Sequence, residues 1–66
     1  MNRADVRKLL DRLVESEEDQ IFANVLGDMT GTGEPPASAA ARMRLGFEKT
    51  ARLREAAEPL LNEFDE

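Results

Sequence analysis

The residues best suited to ligand chemistry lie in the stretch LGDMTGTGEPPAS, residues 26–38. Side-chain oxygens recur there at every second position, at Asp28, Thr30, Thr32 and Glu34. The spacing imitates positions 1, 3, 5 and 7 of an EF-hand calcium loop, with Gly33 at position 6. Position 12, which should carry a bidentate glutamate, holds Ala39, and positions 3 and 5 are neutral hydroxyls. The pattern therefore argues against a calcium site.

The same stretch precedes a helix, whose first N–H groups could bind a phosphate. A Walker loop requires lysine and then serine or threonine after its last glycine, whereas this chain continues with Glu-Pro-Pro. Asp28 and Glu34 would repel an anion, and the prolines remove N–H donors from the first turn. The stretch is predicted to be a connector of about nine residues, 28–36.

Catalytic side chains are scarce. Histidine, cysteine, tyrosine and tryptophan are absent, which removes the commonest general bases, the thiol nucleophile and the usual metal ligands. Lys8 or Lys49 would need deep burial to become a base, and a core this small offers little. Carboxylates at Glu15, Glu18 and Asp19 resemble those of carboxylate bundles, but such bundles add histidines. We expect no enzyme, no cofactor and no metal.

A basic segment, Arg42–Arg54, carries five basic side chains and one acidic one. Its candidate contacts with phosphates are Arg42, Arg44, Lys49 and Arg52. No aromatic residues alternate with them for base stacking, and the connector is too long for a helix-turn-helix. The net charge of −5 also argues against a generic nucleic-acid binder. A nucleic-acid-associated accessory protein is therefore only the alternative function.

The elements that must position these residues are helices. Outside residues 27–36 the chain is rich in Ala, Leu, Arg and Glu and poor in β-branched residues. A chain of 66 residues with 18 large apolar side chains forms a core worth only about 3–5 kcal/mol. With no cysteine for disulfides and no histidine for zinc, self-association is the remaining means of stabilisation.

The first helix is predicted over about 2–27. Asn2 and Asp5 form a weak capping box, and Gly27 suits the helix end. Two apolar stripes follow, about 120° apart: Val6, Leu9, Leu10, Leu13 and Val14, then Ile21, Phe22, Val25, Leu26 and Met29. Ser16 and Asp19 form a second capping-box pattern, so the helix either breaks near Ser16 or continues with two faces; the absence of Gly and Pro favours continuity.

The second helix is predicted over about 37–64. One stripe comprises Ala40, Met43, Phe47, Ala51 and Ala57, continuing to Leu61 and Phe64, and another comprises Leu45, Leu53 and Leu60. Gly46 inside the helix costs about 1 kcal/mol relative to alanine, which indicates a close helix approach. Pro59 is expected to kink or restart the helix after Ala57.

Charge favours an antiparallel hairpin folded about Gly31. Residues 15–19 are acidic and should meet the basic segment, while the basic Arg3–Arg12 should meet the acidic residues 55–66. Each exposed pair contributes only a fraction of a kcal/mol, but the pattern selects the antiparallel register.

The sequence thus predicts one all-α domain, an antiparallel helical hairpin that oligomerises into a bundle. Both helices carry apolar residues on more than one face, and the predicted protein interface is Leu13, Ile21, Phe22, Val25, Leu45, Leu53 and Leu60. The expected function is a non-catalytic protein–protein interaction module: a regulator, adaptor or inhibitor, antitoxin-like or phage-encoded. Its expected partners are itself and another protein. No signal peptide or membrane span is recognisable, so we expect a cytoplasmic location.

Overall fold

The computed structural model describes all 66 residues, and most of them form two long helices. Helix α1 comprises Arg3–Gly31 and helix α2 comprises Pro36–Leu61. They pack side by side in opposite directions and are joined by residues 32–35, giving a rod with Cα dimensions of 49 × 16 × 10 Å. The predicted all-α antiparallel hairpin is confirmed.

Helix α1 begins at the predicted capping box. The Asp5 N–H donates to the Asn2 side-chain oxygen at 2.9 Å, and the Asn2 N–H donates to the Asp5 carboxylate at 3.1 Å. The two residues satisfy each other's otherwise unpaired donors at the helix start.

Helix α1 is continuous through Ser16, so the alternative of a break there is wrong. It also passes Gly27 and ends one turn later, where the Thr32 N–H donates to the Asp28 carbonyl at 2.8 Å. Gly33 is the residue in the left-handed region, with φ of +73°, a conformation that favours glycine. The connector is therefore residues 32–35 and not 28–36.

Helix α2 begins with Pro36 at its first position, where a missing N–H leaves no bond unmade. It continues through Pro59 to Leu61, so the expected restart after Ala57 is wrong, and it ends short of the predicted residue 64. Pro59 lies in the last turn, where little helix remains beyond it to be disrupted.

The core is a thin seam between the two helices. Only five of 66 residues are buried: Val14, Val25, Ala39, Thr50 and Leu61. The Thr50 hydroxyl is satisfied by donating to the Phe47 carbonyl at 2.8 Å. Half-buried side chains, including Val6, Leu10, Ile21, Met29 and Met43, extend the seam. So small a core leaves much apolar surface on the outside.

The two apolar stripes of α1 both contribute to this one seam. Successive residues of a helix lie about 100° apart. Leu13 immediately precedes the buried Val14, whereas Leu26 immediately follows the buried Val25. Leu13 and Leu26 therefore lie on opposite sides of the seam.

Gly46 lies where the two helices approach closely, as the sequence predicted. A Cβ atom added to it would lie 2.9 Å from Cδ1, 3.0 Å from Cγ2 and 3.2 Å from Cγ1 of Ile21. Real Cβ atoms almost never approach other heavy atoms so closely. Ile21 thus occupies the space that any larger residue at position 46 would need.

Phe47 does not lie at the centre of the buried side of α2, contrary to the predicted stripe. Phe47 is half-buried and Ala51 is exposed, while Ala39, Thr50 and Leu61 are the buried residues of this helix. The predicted stripe nevertheless follows the seam, and Gly46 and Thr50 lie beside it on the side that faces α1. Its remaining members are all buried or half-buried: Ala40, Met43, Ala57, Leu61 and Phe64.

Arg3 joins the two chain termini at the end of the hairpin opposite the turn, which we call the open end. Its backbone N–H donates to the Asp65 carbonyl at 2.7 Å, and its Nε donates to the carbonyls of Leu61 and Phe64 at 3.2 Å each. Its Nη1 pairs with Glu66 at 2.7 Å. The basic start of the chain therefore meets the acidic end, as predicted.

The predicted pairing of residues 15–19 with the basic segment is not formed as ion pairs. Arg54 pairs with Asp11 at 2.8 Å, and Arg42 pairs with Asp28 and Glu34 near the turn. The turn lies beyond Gly31, which shifts the register and brings different charges together.

Candidate interaction surfaces

The largest concave feature is an apolar groove at the open end of the hairpin. It encloses about 420 Å³ and is lined by eight residues, all apolar: Val6, Leu9, Leu10, Leu13, Leu53, Ala56, Ala57 and Leu60. Both helices contribute, because their antiparallel packing brings the start of α1 beside the end of α2. We call this surface the leucine groove.

The leucine groove carries much of the exposed apolar surface. Its large side chains remain accessible to solvent: Leu9 by 49%, Leu13 by 49%, Leu53 by 39% and Leu60 by 56%. Single exposed leucines are ordinary, but a contiguous cluster of them is typical of an interaction site.

Beyond the groove, the same side of the hairpin becomes polar. A second depression is lined by Ile21, Asn24, Val25, Arg42, Leu45, Gly46 and Lys49, and a third by Glu17, Gln20, Ile21, Asn24, Gly46, Lys49, Thr50 and Leu53. Leu45, 60% exposed, is the main apolar residue there that remains accessible. The apolar surface on this side is therefore concentrated at the open end.

The opposite side of the hairpin carries a smaller apolar patch. Phe22 is 40% exposed and Leu26 is 48% exposed, and they are four residues apart on one helix face. We call these two residues the Phe22 patch.

Five of the seven predicted interface residues lie at three places on the surface. Leu13, Leu53 and Leu60 come together in the leucine groove. Phe22 lies on the opposite side, and Leu45 lies near the turn end.

Two of the predicted interface residues belong to the seam. Val25 is only 4% exposed and Ile21 is half-buried against Gly46, so the hairpin itself covers Val25. The apolar pattern alone could not separate this residue from the exposed ones.

Sequence reasoning missed Val6, Leu9, Leu10, Ala56 and Ala57 as members of the groove. These groove residues could have been identified by pairing the first apolar stripe of α1 with the alanines before Pro59 in an antiparallel hairpin. That pairing requires the correct alignment of the two helices, which depends on the position of the turn.

Arg42, a candidate nucleic-acid contact, is engaged within the chain. Its Nε donates to Glu34 at 2.9 Å and its Nη2 to Asp28 at 2.8 Å, while the Ser38 hydroxyl donates to Glu34 at 2.9 Å. The hydrogen bonds from Arg42 and then Ser38 lower the pKa of Glu34 below its ordinary value of 4.5. The hydrogen bond to Glu34 raises the pKa of Arg42.

The other three candidate phosphate contacts form no intrachain ion pair. Arg44, Lys49 and Arg52 are exposed, but at 100° per residue they spread over about 140° of the helix circumference. They do not form one stripe along which a phosphate backbone would run.

The oxygen atoms of the calcium-like pattern are also engaged. The Thr30 hydroxyl donates to the Leu26 carbonyl at 3.0 Å and the Thr32 hydroxyl to the Asp28 carbonyl at 2.7 Å, while both carboxylates bind Arg42. No group of three or more acidic side chains converges on a point where a metal ion would bind. The loop residues hold the turn of the hairpin together.

Comparison with protein-family models, curated proteins and solved structures finds no match for this chain. Neither helix combines the length and the apolar composition needed to cross a bilayer.

Proposed function

We propose that this chain is a small protein–protein interaction module that acts as a homo-oligomeric helical bundle. The observation that carries the proposal is the leucine groove, in which eight apolar side chains line one open concave surface. A helix of a second chain fits such a groove by laying an apolar face into it.

The second support is the thin core. With five buried residues, the hairpin covers little of its own apolar surface, and small chains of this kind gain stability by association. The module presents apolar surface and has neither histidine nor cysteine for acid–base or nucleophilic catalysis. We therefore propose the role of a regulator, adaptor or inhibitor.

The alternative, a nucleic-acid-associated accessory role for residues 42–54, has less support. Arg42 is held by two carboxylates and Arg54 by Asp11, which leaves Arg44, Lys49 and Arg52 as exposed cations. Because these three do not align, contact with phosphates would be confined to one or two of them at a time.

Affinity capture from an extract of the native host tests the proposal. The chain is immobilised as wild type, as Leu13→Glu in the leucine groove, as Leu26→Glu in the Phe22 patch and as the exposed-charge control Arg44→Glu. We expect one host protein to be captured by the wild type and by the Arg44→Glu control. That protein should no longer be captured by one of the two leucine variants.

An electrophoretic shift assay at graded salt tests the alternative. A nucleic-acid shift that is abolished by Arg44→Glu or Arg52→Glu and unaffected by both leucine variants, together with no leucine-dependent protein, would replace the proposal with the alternative. Phosphate contacts weaken steeply with salt, so the salt series identifies them.

A further inference from the structure

We infer that the leucine groove is occupied by a second copy of this chain. The two copies pack groove against groove about a two-fold axis parallel to the helices, so that α1 of each lies against α2 of the other. The inference rests on the proposed function and specifies which surface binds, what it binds and in which direction.

The first argument is the amount of surface. The hairpin exposes 4928 Å², whereas a folded monomer of 7.4 kDa is expected to expose about 4200 Å². The surplus of about 700 Å² is close to the roughly 800 Å² that each partner buries in a standard stable interface. One further copy of the same rod is enough to cover it.

The second argument is the distribution of charge along the helices. Residues 1–14 carry four basic and two acidic side chains, and residues 15–19 carry four acidic and none basic. Residues 42–54 carry five basic and one acidic side chain, and residues 55–66 carry five acidic and none basic. Antiparallel packing sets opposite charges side by side within one hairpin. Placing α1 against α2 of a second copy in the same antiparallel sense repeats that complementarity between copies.

Glu17 and Lys49 give the arrangement a specific contact. Both are exposed, both line the depression next to the groove, and neither forms an ion pair within the chain. In the dimer Glu17 of one copy lies beside Lys49 of the other, and the two-fold axis forms this pair twice.

The direction of the second copy follows from overlap. The groove lies only in the half of the rod opposite the turn. A second copy that runs in the opposite direction and is centred on the groove would therefore overlap only half the length of the hairpin. A copy in the same direction overlaps the full 49 Å and is the arrangement that covers the larger surface.

Sedimentation at graded concentrations tests the occupant, using two leucines of equal exposure on one helix. Leu13 is 49% exposed in the groove and Leu26 is 48% exposed on the opposite side. We expect the wild type and Leu26→Glu to dimerise equally. Leu13→Glu should raise the dimer dissociation constant by at least about tenfold, because each dimer would bury two carboxylates in place of two leucines.

A distance measurement tests the direction without altering the groove. The chain has no cysteine, so Ala37→Cys, exposed in the first turn of α2, takes a single spin label. With helix axes 8–10 Å apart, a same-direction dimer places the two labels less than about 30 Å from each other. An end-over-end dimer centred on the groove places them about 60 Å apart, from a rise of 1.5 Å per residue.

The outcomes separate this inference from the proposed function. A short label distance with a dimer sensitive only to Leu13→Glu supports it. A distance near 60 Å, or a dimer broken only by Leu26→Glu, overturns it while self-association stands. A wild type that is monomeric with no dipolar signal also overturns it, and the capture experiment then decides the proposed function independently. Should Leu13→Glu fail to fold, the label distance decides alone.

Discussion

Replacing Gly46 with alanine tests the close contact between the two helices through its effect on the free energy of unfolding. Two effects oppose each other at this site. Alanine is better than glycine inside a helix by about 1 kcal/mol. Its Cβ, however, would lie 2.9–3.2 Å from three side-chain carbons of Ile21, and overpacking of this kind costs about 1–3 kcal/mol.

The geometry decides which effect is larger. Cδ1 of Ile21 is a flexible tip, but Cγ2 and Cγ1, at 3.0 and 3.2 Å, are attached to a β-branched carbon with essentially one χ1 rotamer in a helix. The side chain therefore cannot turn aside without moving the backbone. We expect Gly46→Ala to destabilise the protein by up to about 2 kcal/mol, about 4–8 °C in melting temperature per kcal/mol.

Gly27→Ala is the matched control, because Gly27 is also inside a helix and an added Cβ there meets nothing within 4 Å. It should stabilise the protein by about 1 kcal/mol. Urea unfolding followed by circular dichroism at one protein concentration compares the two variants. If Gly46→Ala stabilises as much as Gly27→Ala, the reasoning about close approach is refuted.

The double variant Ile21→Ala, Gly46→Ala gives a second check. Removing the three crowded carbons should leave the alanine at position 46 without a clash, so the two changes should be non-additive by about 1–3 kcal/mol. Additive effects would mean that the destabilisation by Gly46→Ala arises elsewhere.

Three further outcomes are expected from unfolding measurements. Phe47→Ala should cost about 1–2 kcal/mol because the ring is only half-buried, whereas Leu61→Ala, at 0% exposure, should cost about 2.7–5 kcal/mol; equal losses would contradict the assigned seam. Pro59→Ala should stabilise α2 by at least about 1 kcal/mol, since proline interrupts a helical hydrogen bond, and an unchanged melting temperature would contradict this. Glu34→Gln should flatten the acid limb of the stability profile below about pH 4.5; an acid limb identical to that of the wild type would exclude a role for Glu34.

The pH window for Glu34 follows from the direction of its shift. Its folded-state pKa is lowered beneath 4.5 by hydrogen bonds from Arg42 and Ser38. The stabilising contribution is therefore present above the unfolded value and is lost as the pH falls through the folded one.

The two helices, the capping box of Asn2 and Asp5, and the close approach at Gly46 could be predicted from sequence because each depends on local chemistry. The end of α1 could not be predicted correctly. Gly27 and Gly33 are both glycines, and a glycine at either position is typical of a helix end. Only the backbone conformation shows that Gly33 is the one in the left-handed region.

That local error had long-range consequences. Placing the turn at Gly31 set the wrong register, so residues 15–19 were expected to meet the basic segment that begins at Arg42, whereas Arg42 binds Asp28 and Glu34. The members of the leucine groove depend on the same register. Apolar stripes identify which residues avoid water, but only the pairing of the helices divides them into a seam and a surface.

Stability and self-association should be inseparable in a chain with so thin a seam. A core of this size supplies about 3–5 kcal/mol, and a second copy present at 100 times its dissociation constant adds about 2.7 kcal/mol. The proposed dimer would therefore contribute almost as much as the hairpin. It follows that the melting temperatures of the wild type and of Gly46→Ala should both rise as protein concentration rises a hundredfold, because binding of a second copy favours the folded state. A hairpin that folds alone would keep the same melting temperature at every concentration, which thermal scans across the dilution series would detect.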